Sequence, residues 1–198
     1  MLLLIQPTLN LNNTRYLLNF SGAKIERKLP AKCSMDYLFH QTPKDCARDL
    51  ICKVPLVAGD RVIEPFMGEG AFYDAFPDYV QKDWAELTKG RDYTSLTDEF
   101  DWVITNPPFK LDTGGKRINS FWFILDYYST RAKKGIAFLG NDYCLSALTP
   151  SKINILEGRG WKITKIVVTV IKKWRGRYFF IILEKQGQSC LDYLPDSY

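Results

Sequence analysis

The feature that most constrains this chain is an alternation of short apolar runs with stretches of helical spacing. Arg61-Val62-Ile63-Glu64, Tyr79 to Glu86, Asp101-Trp102-Val103-Ile104-Thr105 and Gly135-Ile136-Ala137-Phe138-Leu139 read as strands. Between and around them lie predicted helices. Thr42-Pro43 opens one, with Thr as N-cap and Pro at the first helical position; Ala47, Leu50, Ile51 and Val54 follow at helical spacing and Pro55 stops it. A short helix runs through Phe72 and Phe76, an aromatic one spans roughly 118–131, and Thr149-Pro150-Ser151 caps another. Ile163 to Ile171 and Tyr178 to Leu183 read as strands of a terminal hairpin joined by Lys172-Lys173-Trp174-Arg175-Gly176-Arg177. Strands alternating with helices predict an α/β fold: a doubly wound, mostly parallel sheet with helices on both faces, to which the hairpin adds one antiparallel strand. Ligands of such a sheet sit at the carboxyl ends of its strands.

The chain has 198 residues, enough for one domain with a core. Residues 1–34 read as an irregular extension, 35–186 as the domain and 187–198 as a tail. No apolar run approaches the ~20 residues of a membrane-spanning helix. The apolar start Met1 to Ile5 stops at Gln6-Pro7 without a basic leader, so neither a secretory signal nor a membrane partner is expected. Five cysteines, none in a C-x-x-C pair, and the single His40 predict no disulfide framework and no metal site. An intracellular, cytosolic or nuclear chain with reduced thiols is expected.

Charge is unevenly spread over a net +5. Residues 60–101 hold eleven Asp/Glu against four Lys/Arg, whereas residues 131–177 hold eleven Lys/Arg against two Asp/Glu. A basic stretch beside an acidic one fits a face that meets a polyanion, and equally a solvated mixed surface.

Two peptides at predicted strand ends carry chemistry. In Glu64-Pro65-Phe66-Met67-Gly68-Glu69-Gly70 the glycines allow a tight turn and close backbone approach to a ligand. The peptide lacks the third glycine or the lysine of a phosphate loop, and Glu64 would repel phosphate. It suits a ligand with amino and hydroxyl groups, or simply a tight strand-to-helix turn. In Asn106-Pro107-Pro108-Phe109 the prolines stiffen the turn. The Asn106 amide and the Pro107 carbonyl offer acceptors, and Phe109 offers a flat apolar face. That set can grip a planar, amino-bearing group.

The pair of peptides, E-P-F-x-G-x-G-x-F at 64–72 and T-N-P-P-F at 105–109, resembles the cofactor and catalytic motifs of class I S-adenosylmethionine-dependent methyltransferases. Within that family it is most similar to the adenine-N6 DNA methyltransferases. Phe39-His40-Gln41-Thr42-Pro43 resembles the motif that closes over the methionine end of the cofactor, and the likeness covers roughly residues 35–186. It implies a Rossmann-like class I methyltransferase fold and S-adenosylmethionine as cofactor. Glu64, Phe66, Gly68 and Gly70 would form the first cofactor motif, with Thr42 and Pro43 at the methionine end. Glu86 would hold the ribose hydroxyls, with Asp83 the next acid in line, and Asp92 would accept from the cofactor's adenine amino group. Asn106, Pro107, Pro108 and Phe109 would form the catalytic turn, acting by positioning rather than through a strong base. His40 is expected to be structural.

The resemblance implies nucleic acid as partner, DNA ahead of RNA. RNA adenine, protein glutamine and a catalytically silent binding subunit are the alternatives. Lys110, Lys116 and Arg117 after the catalytic turn, and Lys172, Lys173, Trp174, Arg175 and Arg177 in the hairpin, are candidate nucleic-acid contacts. There phosphate pairing and stacking on Trp174 would be available together. Two departures stand out: the connection between the second and third strands is short, and no recognition domain follows the hairpin. The part that reads the flanking sequence is therefore expected to be small, to come from a separate specificity subunit or a homodimer, or to be missing.

Overall fold

The computed structural model describes residues 14–18, 24–28, 41–96, 99–112 and 117–190. Near the N-terminus β1 (Thr14–Leu18) pairs antiparallel with β2 (Lys24–Lys28). This corrects the irregular extension expected there: both strands carry charged residues and lack the apolar alternation that announces a strand.

The apolar runs become neighbours in one six-stranded sheet. It contains β3 (Arg61–Glu64), β4 (Gln81–Trp84), β5 (Trp102–Thr105), β8 (Gly135–Asn141), β9 (Lys162–Thr169) and β10 (Tyr178–Glu184). Their order is β4-β3-β5-β8-β10-β9. The first four are parallel, and β10 runs antiparallel to both β8 and β9. A separate two-stranded ribbon, β6 (Lys110–Asp112) and β7 (Arg117–Asn119), follows the β5 turn where only a loop was expected.

Helices cover both faces. On one lie α1 (Lys44–Ile51) and α2 (Ala71–Ala75). On the other lie α3 (Ser120–Ser129), α4 (Asp142–Ser146) and α5 (Pro150–Gly158). The central strands are apolar throughout because both sides are covered. Along β10, Phe179, Ile181 and Leu183 join the α3–α5 core, while Tyr178, Phe180 and Ile182 join the α1–α2 core. Among the described residues no helix is long and apolar enough to cross a membrane.

Local chemistry shifts several predicted boundaries. Pro43, not Thr42, occupies the N-cap position of α1, and Thr42 turns its hydroxyl elsewhere. The strand expected from Tyr79 to Glu86 keeps only Gln81–Trp84, and two short 3-10 turns, Leu87–Lys89 and Tyr93–Ser95, fill the connection to β5. α4, unforeseen in the sequence, is capped by Asn141, whose Oδ1 accepts from the Tyr143 N–H at 3.2 Å. Cys144 on α4 is buried, and burial pushes its thiol up to about 12, as for a cysteine that serves as a small core hydrophobe.

One glycine shows how tightly the sheet is packed. Gly135 lies opposite Trp102 in the parallel register of β8 and β5. A Cβ on Gly135 would stand 2.0 Å from Trp102 Cζ3. Overpacking of this kind costs about 1–3 kcal/mol. Gly135→Ala is therefore expected to lower the thermal midpoint by several degrees in a calorimetric melt. An unchanged midpoint would contradict this packing.

Candidate active site

The site is set by topology. β3 has β4 on one side and β5 on the other, so chain connections depart from it in opposite directions and leave a crevice beyond the carboxyl ends of β3 and β5. Glu64 ends β3 and Thr105 ends β5. Both motif peptides therefore open onto one crevice.

The glycine turn is built from left-handed backbone. Gly68 has φ 55° and Gly70 φ 85°, conformations that disfavour a side chain. A Cβ on Gly70 would meet only the Asp74 side chain, at 3.6 Å, so conformation rather than space selects glycine there. The Gly68 peptide is held from both sides. Its N–H donates to Glu86 Oε2 at 2.8 Å, and its carbonyl accepts from Lys89 Nζ at 2.9 Å. Glu86 Oε1 accepts from the Thr88 N–H and hydroxyl at 3.0 and 2.8 Å. Glu86 lies two residues beyond the end of β4 and is buried.

Glu64 is turned toward α2. It is 2% exposed, and its Oε2 accepts from the Tyr73 N–H at 2.7 Å. Burial holds its carboxyl well above the usual carboxylate range, with the nearby Asp74 and Glu86 adding to the rise. In this position it anchors the first turn of α2 to the strand end.

The N-terminal motif reaches the same crevice. Gln41 Oε1 accepts from the Glu69 N–H at 3.2 Å. Asn106 Nδ2 donates to Thr42 Oγ1 at 3.3 Å. Thr42 thus joins the Asn106 turn rather than capping α1. Pro43 follows it at the helix entry. Phe39 and His40 lie outside the described residues.

Across the crevice, Asp92 caps the second 3-10 turn through bonds from the Thr94 N–H and hydroxyl at 2.8 and 2.5 Å. Phe66 packs on Tyr93 with ring centroids 5.2 Å apart, and Tyr93 packs on Tyr127 at 5.5 Å. Asp83 is engaged through both oxygens by Arg91, at 2.5 and 2.9 Å. Burial works against its ionisation, yet the Arg91 bonds hold its carboxyl below the usual range.

In the Asn106–Phe109 turn, Pro107 is buried and Pro108 half-buried. The Pro108 carbonyl accepts from the Ser120 hydroxyl, and the Phe109 carbonyl accepts from the Ser120 N–H at 3.2 Å. The half-buried Phe109 ring packs against the α1–α2 core.

The candidate nucleic-acid contacts divide. Tyr178 pairs with Asn141 at the carboxyl end of β8, so the loop preceding β10 lies at the same end of the sheet as Asn106. Lys110, Lys172, Lys173, Arg175 and Arg177 are exposed. Trp174 corrects the sequence reading. It is 7% exposed, its ring sits 4.7 Å from that of Tyr178, and it belongs to the α1–α2 core. A ring buried by its own fold is not presented for base stacking, so the loop offers cations only. Lys116 lies outside the described residues, and Arg117 begins β7.

Sequence reasoning did not single out Gln41, Lys89, Tyr93 or Tyr127. Gln41 adjoins Thr42 in the same motif and could have been weighed with it. Lys89 and the tyrosines gave no separate signal: Lys89 and Tyr93 reach Gly68 and Phe66 only through the connection after β4, and Tyr127 meets Tyr93 from α3.

Comparison with known proteins agrees with this architecture. No protein-family model matches the chain, and no curated protein sequence is detectably similar to it. Solved structures are similar. A Listeria monocytogenes protein assigned to the class I S-adenosylmethionine-dependent methyltransferases superposes with a TM-score of 0.52 at 14% identity, over 82% of this chain and 62% of that one. TrmN from Thermus thermophilus gives 0.47 at 15% identity, over 72% of this chain and 49% of that one. A precorrin-6y C5,15-methyltransferase from Geobacter metallireducens gives 0.49 at 14% identity, over 78% and 92%. The chain thus spans about half the length of the Thermus protein and 62% of the Listeria protein. The likeness to the Listeria protein identifies the fold as Rossmann-like, of the class I methyltransferase type.

The raised Glu64 carboxyl gives a pH-dependent expectation. The folded chain keeps a proton there that the unfolded chain releases at lower pH. The associated stability is present at acid pH and is lost as pH rises from the ordinary carboxylate range through the raised folded value. Glu64→Gln keeps an oxygen to accept from Tyr73 and has no proton to lose. Relative to wild type, the variant is expected to gain stability as pH rises toward neutrality in calorimetric melts. A difference independent of pH would contradict the assignment.

Proposed function

We propose that this chain is an S-adenosylmethionine-dependent methyltransferase that modifies the exocyclic N6 amine of adenine in nucleic acid, DNA ahead of RNA. The observation that carries the reading is the bond between Asn106 and Thr42 at the crevice where the glycine turn also ends. Together with the bond from the Glu69 N–H to Gln41 Oε1, it joins three motifs, far apart in sequence, at the strand ends where this fold type takes ligands.

The residues present fit the cofactor. Left-handed glycine backbone, the carboxylates of Glu86 and Asp92 and the Phe66–Tyr93 pair suit amino and hydroxyl groups on a flat base. The turn lacks the lysine and the glycine spacing of a phosphate loop. Glu86 would face the ribose hydroxyls, Asp92 the adenine amine, and Thr42 and Pro43 the methionine portion. When bound, the cofactor supplies a methyl group on a positively charged sulfur.

The protein's part is to prepare the acceptor amine. An adenine amine is a poor nucleophile because its lone pair is delocalised into the ring. Donation from Asn106 Nδ2 to Thr42 sets Oδ1 as the amide atom for the acceptor. Oδ1 and the Pro107 carbonyl would accept the two amine hydrogens, favouring a pyramidal nitrogen with its lone pair directed at the methyl. Transfer of that methyl would form a nitrogen–carbon bond as the carbon–sulfur bond breaks, and the amine proton, acidic at that point, would pass to solvent. Preorganised acceptors do this without a strong base. The exposed cations of the loop before β10 support a nucleic-acid acceptor.

Labelled methyl transfer to pools of DNA, RNA and protein, followed by nucleoside analysis, tests this reading. Label recovered as N6-methyladenine is expected; label confined to protein, or to another base position, would overturn it. Asn106→Ala is expected to lower the transfer rate by ~10²–10³-fold while cofactor affinity, read by calorimetry, stays near wild type. Near-normal turnover in that variant would remove Asn106 from the acceptor site.

A further inference from the structure

An open cavity of about 430 Å³ lies on the α3 side of the sheet, apart from the crevice described above. Its walls include Ile118 and Asn119 of β7, Trp122 and Phe123 of α3, Tyr143 of α4 and Lys152 of α5. That volume is in the range of small-molecule sites. The cavity combines flat aromatic surface with polar groups already occupied. Asn119 Oδ1 accepts from the Phe121 N–H at 3.1 Å, Ser146 Oγ donates to the Tyr143 carbonyl at 3.2 Å, and Lys152 Nζ donates to the Ala147 carbonyl at 3.0 Å. Lys152 Nζ also stands 5.0 Å from the centre of the Trp122 ring. Tyr143 is 68% exposed, although it stands in a helix that packs on the core.

The cavity is tied to the Asn106 turn through the chain. Asn119 precedes Ser120, whose hydroxyl and N–H bond the Pro108 and Phe109 carbonyls. Asn141, the cap of α4, ends β8 three residues beyond Phe138, the partner of Thr105 at the end of β5. On the other flank, Arg177 Nε lies 3.8 Å from Asp142 Oδ1, next to Tyr143, at the edge of the cationic loop. Tyr143 thus adjoins Asp142, whose neighbour Arg177 belongs to the row of exposed cations.

We propose that this cavity seats a nucleobase of the acceptor strand next to the target adenine, stacked on Tyr143. The proposal rests on the nucleic-acid reading above and deepens it: it supplies the stacking surface that buried Trp174 does not. Stacking recognises the flat face that every base has, so the site binds with little sequence preference. Lys152 and the neighbouring loop cations match the charge of the flanking phosphates. A buried base of this kind would hold the strand in register while its neighbour reaches Asn106.

Binding of a fluorescein-labelled, mixed-sequence single-stranded DNA, and of the matching RNA, to wild type, Tyr143→Ala and Tyr143→Phe tests this. Each is measured by anisotropy over a range of salt concentrations, with cofactor titration as a control for folding. Tyr143→Ala is expected to weaken oligonucleotide binding about 5- to 150-fold, the span of one aromatic–base stack. Its salt slope is expected to match wild type, because a lost stack releases no counterions. Tyr143→Phe keeps the ring and is expected to bind like wild type. Three outcomes overturn the proposal while leaving the nucleic-acid reading standing: Tyr143→Ala binding as tightly as wild type, Tyr143→Phe failing as badly as Ala, or a flattened salt slope in Tyr143→Ala. Wild type that binds cofactor but neither oligonucleotide overturns both.

Discussion

The candidate site depends on how one peptide is held. The Gly68 N–H is fixed by Glu86, and its carbonyl by Lys89. The Met67 N–H donates to the Ala85 carbonyl at 3.0 Å, and the Ala85 N–H to the Glu64 carbonyl at 2.9 Å. Two neighbouring parallel strands are thereby stitched together beyond their own ladder. A left-handed glycine turn without such support would lose its shape to conformational entropy. With it, the backbone that faces the crevice is preformed, and Glu86, itself oriented by Thr88, stays buried beside it. Glu64 completes the arrangement from the other side by fixing the start of α2.

The same end of the sheet gathers opposite electrostatic characters. Acidic groups of the 60–101 stretch gather beside the Gly68 turn, where Glu86 and Asp92 each accept from a backbone N–H group. The cations before β10 remain exposed. Under the proposed function, this separation would let one crevice suit a cationic cofactor and a polyanionic acceptor without either field cancelling the other at short range. Between them lie Asn106 and, further out, the aromatic cavity around Tyr143.

Much of this architecture was legible in the sequence, for physical reasons. Val62-Ile63, Trp102 to Ile104 and Ile136 to Leu139 are apolar on both faces because helices cover both faces. The crevice could be placed because the glycine turn and the Asn106 turn each follow such a run. β1 and β2 were hidden because strands such as Lys24-Ile25-Glu26-Arg27-Lys28 carry almost no apolar signal. β6, β7 and α4 were hidden by their shortness. Trp174 was misread because its neighbours in sequence are cations, whereas its neighbours in space, Ile171 and Tyr178, belong to the core. Sequence also could not reveal that Thr42 gives up the helix cap to bond Asn106, since that contact spans a long stretch of chain.

The central claim is that the crevice around Gly68 receives S-adenosylmethionine. The most direct test follows backbone amide resonances of the isotopically labelled protein during titration with that cofactor. Saturable shifts at Gly68, Gly70, Thr88 and Asn106, with little change at Tyr143, are the result expected. Titration that leaves those amides unmoved, or that shifts only residues around the Trp122–Tyr143 cavity, would contradict it.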